Sequence, residues 1–591
     1  MPLLLIMVGT ALLLIAAYNL YGALLTRLLR LDARVATPAH TQRDDQDYTP
    51  SKPSYLLGQH FSAIAAAGPI VGPIVAGLTF GWLPALLWII LGSIFIGGVH
   101  DMTALVASVR HKARSIAEVL REYMSRRSYM LFLFFVWIAL VYIVVAFTDV
   151  VAGSFIGSQT LEDGTVIAGG ATATSSLLYL ALPVLMGLLL RFRVLSLPWA
   201  TAVFLPLVAL SIWIGPRLPL DLASLLQVSD QQARIWWVVI LLGYCFVASL
   251  VPVWLLLQPR GHLGGYFLYA ALIGGMLGLF IGAFRGSYAI AYPAFTGWTA
   301  ADGSTLAPMF FITIACGACS GFHCLIASGT TSKQLACETD AKPVGYGAML
   351  AEAMVAAMSV ACVMLLSASD GRSLIAKPNY VYARGLGTFL ESIGIPPTFA
   401  ISFGMLAFTT FVYDTLDVCT RLGRYIIQEL TGWQGAFGKW FATGVTALIP
   451  LFFVTRTMLG PDGRPMPLWR VFWSLFGASN QLLAALALIG VTVWLWRTTR
   501  AWWVWLVTGI PTLFMYVMSA WALIIFIRKG FQDPGAGFRW PTDPVPWVAL
   551  LLLALAALVA LEAILVLART FSGPPASGGR SPSAAPQFAR D

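Results

Sequence analysis

The stretch GQHFSAIAAAGPIVGPIVAG, residues 58–77, is apolar enough for lipid, yet it carries His60 and two Gly-Pro pairs, Gly68-Pro69 and Gly72-Pro73. A proline lacks an N–H and clashes with the carbonyl four residues back. Pro69 and Pro73 therefore deprive the carbonyls of Ala65 and Pro69 of their helical partners. Unpaired backbone at membrane depth survives where it is buried in protein or lines a cavity. The stretch thus predicts an interrupted membrane helix beside a polar site, with a proline kink used only for packing as the blander alternative. His60 and Ser62 in the same segment favour the site.

The rest of the chain supports a lipid setting. Of its 591 residues, 59% are hydrophobic and 10% charged, whereas a soluble domain carries about a quarter charged residues. Continuous apolar runs long enough to cross a hydrocarbon layer of about 30 Å recur throughout. Barrel strands would alternate instead, so the expected class is an all-α integral membrane protein. The spans read as 4–26, 55–80, 82–107, 130–150, 174–190, 197–215, 235–257, 263–284, 307–328, 344–368, 397–420, 438–458, 471–495, 502–527 and 544–568, about fifteen crossings. Residues 1–570 form one polytopic domain, and 571–591, rich in Pro, Gly, Ser and Ala, read as a disordered cytoplasmic tail.

Basic loops stay cytoplasmic. With the amino terminus outside and the carboxyl terminus inside, the cluster Arg110, Lys112, Arg114, Arg121, Arg126 and Arg127 falls inside, as does the short loop 258–262. The net charge of +10 is accounted for by this topology, and its spread over short loops argues against a nucleic-acid partner. The first apolar run lacks a basic leader and reads as a retained helix. The seven cysteines lie mostly in apolar spans and indicate no disulfide framework.

A second interrupted stretch is IACGACSGFHCLIASGTT, residues 314–331. Its small residues permit close helix packing, and they also let a helix unwind and present N–H groups and hydroxyls to an anion. Ser320, Gly321, His323, Ser328 and Thr330 are its candidate contacts. Cys316 and Cys319 form a CxxC, but no second ligand pair has metal spacing, so neither metal nor cofactor is expected. The two stretches cross in opposite directions, as the interrupted helices of an inverted-repeat transporter do. Seven spans begin with each, leaving one extra helix at the amino terminus.

Ionisable groups within spans supply the remaining candidates, because a charge at a helix centre costs about 2.5–3.5 kcal/mol on insertion scales. Glu352 follows the second interruption. Asp414, Asp417 and Arg421 share one helical face, which predicts an Asp417–Arg421 ion pair and leaves Asp414 deeper without a partner. His100-Asp101 and Asp149 read as interfacial. Asn480 and Gln481, two adjacent amides, either join helices or bind a solute.

The motifs resemble the carbon starvation protein A (CstA) family. The resemblance lies in residues 58–77, VHDMTALVASVRHKARSIAEV (99–119), LLLQPRGHLGGYFL (255–268), the long stretch from Phe311 to Ala356, TLDVCTRLGRYIIQEL (415–430) and LFGASNQLLAALAL (475–488). It implies a bacterial inner-membrane importer of the amino acid–polyamine–cation superfamily, with a LeuT-like five-plus-five core and proton-coupled pyruvate uptake or peptide uptake. His60, Gly68, Pro69, Gly72, Pro73, Cys316, Ser320, Gly321, His323, Ser328, Gly329, Thr330, Glu352, Asp417, Arg421, Asn480 and Gln481 fall in family stretches. Gln59, Cys319, Cys324 and Asp414 depart from them.

The expected function is therefore proton-driven uptake of a small organic anion by alternating access. Backbone N–H groups near Gly68–Gly72 and Ser320–Gly321 would hold its carboxylate, helped by Ser328 and Thr330. His60, His323, Glu352, Asp414 and Asp417 are the proton-site candidates. A peptide or amino-acid importer is the alternative; a channel, a sensor or a membrane-embedded enzyme has less support, since no nucleophile–base pair stands out.

Overall fold

The computed structural model describes residues 1–44, 48–65, 67–160, 166–286, 288–300, 303–375, 377–456, 458–459, 465–466, 468–532 and 545–572. The tail expected to be disordered lies outside the described residues from 573 onward. Among the described residues, thirteen helices are long and apolar enough to span a membrane, and the bent pair Pro53–Ile64 and Gly68–Phe80 makes a fourteenth crossing. The fifteenth, 306–331, is too fragmented to count as one helix. Two short antiparallel hairpins, Ser158–Thr160 with Val166–Ala168 and Met458–Leu459 with Pro465–Met466, are the named strands.

Both interruptions fall where the sequence places its breakers. Pro53–Ile64 ends at Ala65, whose carbonyl Pro69 cannot serve, and Gly68–Phe80 restarts with Pro69 in its first turn. There a missing N–H costs little. The second interrupted span runs from a helical stretch ending at Ala318, through extended Cys319, to Phe322–Ile326 and a wide turn over Ala327–Thr331.

Contacts at the ends fix the directions. Ser51 N donates to Gln334 O at 3.0 Å, beside the end of the second interrupted span, and Thr296 N donates to Phe80 O at 3.2 Å, before its beginning. The two spans are antiparallel.

The helix neighbours reveal five-plus-five symmetry rather than seven-plus-seven. The first interrupted span packs on Ala348–Met364 and Leu257–Phe284, and the second packs on Trp82–Arg110 and Leu468–Thr499. Arg126–Ser154 packs on Pro397–Thr431, Leu468–Thr499, Asp230–Leu250 and Ala436–Val454. Pro397–Thr431 packs on Arg126–Ser154, Leu257–Phe284, Ala436–Val454 and Asp230–Leu250. Exchanging the halves maps each contact onto another. The count of seven arose because a hairpin, Gly169–Arg191 with Leu197–Ile214, is inserted in the first half, while two helices follow the second.

Burial separates the layers. Every residue in the most apolar window of Phe472–Thr499 is buried, and 89% of that of Pro397–Thr431, against 28% for Trp505–Phe531 and Val545–Arg569, so these two repeat helices lie in the interior and the two helices after the repeats lie outermost. Asp149 lies near helix ends, as its reading at the end of a span expects, but it is shielded by protein. It is buried, pairs with Arg234 and accepts from Trp469 N at 2.8 Å, where Leu468–Thr499 begins.

Gly81 makes the turn between the first interrupted span and Trp82–Arg110. Its φ of +100° suits glycine, and a Cβ there would strike the carbonyl of Ala294. Gly81→Val is expected to destabilise the protein by at least the roughly 1–3 kcal/mol of a strained backbone, read as a lowered unfolding temperature in detergent.

Candidate functional site

Where the two interrupted spans cross, glycine permits backbone contact. A Cβ on Gly68 would overlap the Cys316 side chain, and one on Gly72 would overlap the Thr313 carbonyl. Pro69 and Pro73 both touch the space a Cβ on Gly317 would need, at 3.6 and 3.4 Å. In this conformation Gly68, Pro69, Gly72 and Pro73 form the crossing point.

At the second break, Asn480 occupies the gap. Its side-chain carbonyl accepts from Phe322 N at 2.8 Å, and its backbone carbonyl accepts from Gly321 N at 3.1 Å. Its amide donates to Ser320 Oγ at 3.0 Å and to Cys316 Sγ at 3.2 Å. The N–H groups of Gly321 and Phe322 are therefore held by the protein itself. Gln481 turns the other way, donating to Met515 Sδ at 3.3 Å.

The break aims His323 at a fully buried ionic set. Its Nδ1 lies 2.7 Å from Asp101 Oδ2, and His100 Nδ1 lies 2.7 Å from the other oxygen of Asp101. His323 Nε2 lies 3.1 Å from Glu352 Oε2, not aligned as a hydrogen bond, so among the described residues neither Glu352 oxygen has a hydrogen-bond donor. His100 and Asp101 are 1% and 0% exposed, which overturns their interfacial reading. They reach the centre because Gly345 lets its segment approach the backbone of Met102, 2.9 Å from where its Cβ would stand.

A second ionic set lies on the other side of the first interrupted span. Arg260, also 0% exposed, pairs with both Asp414 and Asp417. Tyr244 donates its hydroxyl to Asp417 Oδ2 at 2.9 Å, and that hydroxyl lies 2.5 Å from Arg260 Nη1. The expected Asp417–Arg421 pair does not form: Arg421 donates to the carbonyls of Ala248 and Val251 at 2.7 and 2.8 Å, where Asp230–Leu250 ends. Asp414 accordingly has Arg260 as its partner. Ser62 donates to its second oxygen. Arg260, read from sequence as a loop cation, stands in the first turn of Leu257–Phe284.

Segment 58–62 touches both neighbourhoods. His60 Nδ1 lies 2.8 Å from Thr331 Oγ1 on the second interrupted span, while Ser62 holds Asp414. Among the described residues, His60 Nε2 and Gln59 Oε1 are buried without a hydrogen-bond partner. Gln59 and His60 line a cavity of about 10 Å³ with Thr330, Thr331 and Asp414. That is room for about one water, so the centre is closed. A larger cavity, about 300 Å³, begins at Leu325, Ser328 and Gly329 and is walled by Arg126–Ser154 and Pro397–Thr431. Arg114 and Lys333 place its mouth on the basic face.

The profile of the carbon starvation protein CstA family matches residues 2–381 and 372–522, nearly the whole membrane region. The chain belongs to the CstA family. It is 30% identical over 586 residues to the "Peptide transporter CstA" of Bacillus subtilis, covering 90% of this chain and 92% of that protein. It is also 30% identical to the "Pyruvate/proton symporter BtsT" of Escherichia coli, covering 86% of this chain and 78% of that one. Among solved structures, an Eremococcus coleocola manganese transporter covers 89% of this chain and 99% of its own at 12% identity, with a TM-score of 0.49. Within this CstA-family chain, sequence reading missed Asp101, His100, Arg260 and Tyr244. The first three lie in family stretches, which was the available signal.

Removing one partner of a buried ion pair costs about 3–5 kcal/mol, whereas neutralising all partners can be nearly neutral. Arg260→Met is therefore expected to destabilise strongly, and the triple variant Arg260→Met, Asp414→Asn, Asp417→Asn to recover most of the loss. Thermal unfolding of purified variants in detergent checks this.

Proposed function

We propose that this chain carries a small carboxylate, pyruvate in the first instance, together with a proton across the bacterial inner membrane by alternating access, with the basic face cytoplasmic, the amino terminus outside and the carboxyl terminus inside. The supporting observation is the charge balance round the closed centre. With His323 as an imidazolium, Asp101 and Glu352 leave one negative charge over. Asp414 and Asp417 against Arg260 leave another. An uncompensated charge in such an interior costs several kcal/mol, so a further carboxylate from a substrate needs a proton as companion. Glu352, whose oxygens have no hydrogen-bond donor among the described residues, and Asp414, which lines the small cavity, are the acceptors in this reading.

The substrate carboxylate meets His60 Nε2 beside the small cavity, next to Thr330, whose hydroxyl donates to Ile326 O at 3.1 Å in this conformation and must turn to take part. Six heavy atoms do not fit there until Pro53–Ile64 withdraws. Withdrawal breaks the Ser62–Asp414 bond, so protonation of Asp414 and movement of this half-helix are linked. His60 and His323 are the imidazoles available for proton exchange.

A second reading, peptide import, is favoured by the larger cavity. Its volume of about 300 Å³ lies at the lower end for drug-sized ligands and accommodates a dipeptide.

Proteoliposomes with an imposed inward pH gradient are expected to accumulate labelled pyruvate, and accumulation should stop when the gradient is collapsed. His323→Ala and Glu352→Gln should lower gradient-driven accumulation about tenfold or more, the equivalent of about 1.4 kcal/mol of lost coupling. Glu352→Gln should still exchange internal for external pyruvate. Accumulation that persists without a gradient removes proton coupling, and preference for dialanine over pyruvate favours the peptide reading.

A further inference from the structure

The larger cavity contains a cation that the closed centre does not use. Lys333 follows the second interrupted span by two residues and lines the same cavity as Ser328 and Gly329. Its ammonium lies 5.4 Å from the ring centre of Tyr48 and 5.6 Å from that of Tyr425. Two aromatic faces attract a cation but leave its three N–H donors for a stronger acceptor. Among the described residues, no carboxylate is within ion-pair distance of it.

The acids along the same cavity are already engaged. Glu118 lies 3.2 Å from Arg121 and 3.8 Å from Arg114. Glu429 accepts from Tyr129 Oη at 2.6 Å, and its charge reaches Lys333 without pairing with it. A half-buried ammonium beside two rings, in a cavity that the second interrupted span lines at Leu325, Ser328 and Gly329, suits an anion in passage.

We propose that Lys333 is a docking site for the substrate's carboxylate on the basic side of the path, occupied after the solute leaves the centre and before it reaches water. This rests on the carboxylate-transport reading above. The carboxylate of a keto acid and the terminal carboxylate of a short peptide present the same group to Lys333. Tyr48 and Tyr425 hold the ammonium in place and exclude water from two sides.

The experiment uses the full chain in inside-out vesicles, with the basic face outward, and an amine-reactive acylating reagent read by peptide mass spectrometry. Pyruvate at ten times its dissociation constant is expected to slow acylation of Lys333 about tenfold, as simple competition requires. If peptides are the solute, dialanine protects and pyruvate does not, and dialaninamide, which lacks the carboxylate, protects in neither case. In transport, Lys333→Gln should raise the pyruvate or dialanine concentration for half-maximal flux from the basic face about tenfold, the scale of one charge-assisted hydrogen bond. The value from the opposite face should stay within about twofold, and Lys333→Arg should restore the wild-type asymmetry. Acylation indifferent to both carboxylates overturns the proposal, as does an equal change from both faces. Protection without pH-driven accumulation would keep the docking site and remove the symport reading.

Discussion

A helix cannot stop in hydrocarbon unless something else satisfies its backbone, because each bare N–H or C=O there costs several kcal/mol. In the second interrupted span Asn480 meets that constraint. Its side chain and its own carbonyl take up Phe322 N and Gly321 N, and the helix resumes with His323 aimed at Asp101. The central ionic set follows from this substitution of one residue's amide for a stretch of helical ladder.

The first interruption is solved differently. There the proline that breaks the ladder also begins the next helix, and Gly68 and Gly72 seat the restart against Cys316 and Thr313. The half-helix before it rests on glycines of Leu257–Phe284: a Cβ on Gly265 would lie 2.7 Å from the Gly58 carbonyl. It is thus closely seated, yet among the described residues its side-chain hydrogen bonds are few and specific, through His60 to Thr331 and through Ser62 to Asp414, both in the second repeat. A segment held by shape and by two switchable bonds is suited to move as a unit.

The sequence revealed what local chemistry dictates and concealed what distance decides. Pro69 and Pro73 marked their break because proline acts on its own neighbours, and the opposite sense of the two spans followed from the number of apolar runs between them. Asn480 could not be matched with Gly321, 159 positions earlier in the chain, because no periodicity spans that interval. His100 and Asp101 were misjudged because they sit near the polar end of an apolar window, whereas the helix runs on to Arg110. Arg260 was read as a loop cation for a related reason: hydropathy ended one span at 257 and began the next at 263, while the backbone is already helical there. The i, i+3, i+7 pattern rightly put Asp414, Asp417 and Arg421 on one face, but a cation from another helix outcompeted the local one.

Pro397–Thr431 has 35 residues, a length of about 52 Å at 1.5 Å per residue, well beyond the roughly 30 Å of hydrocarbon. Asp414 sits deep in it, and Glu429, fifteen residues on, stands at the wall of the larger cavity, about 22 Å away along the axis. Such a rod is a lever. A tilt of about 5° pivoting at Asp414 sweeps its far end by roughly 2 Å, about the radius of a methyl group, so a change in one carboxylate's bonds is magnified into the width of a doorway.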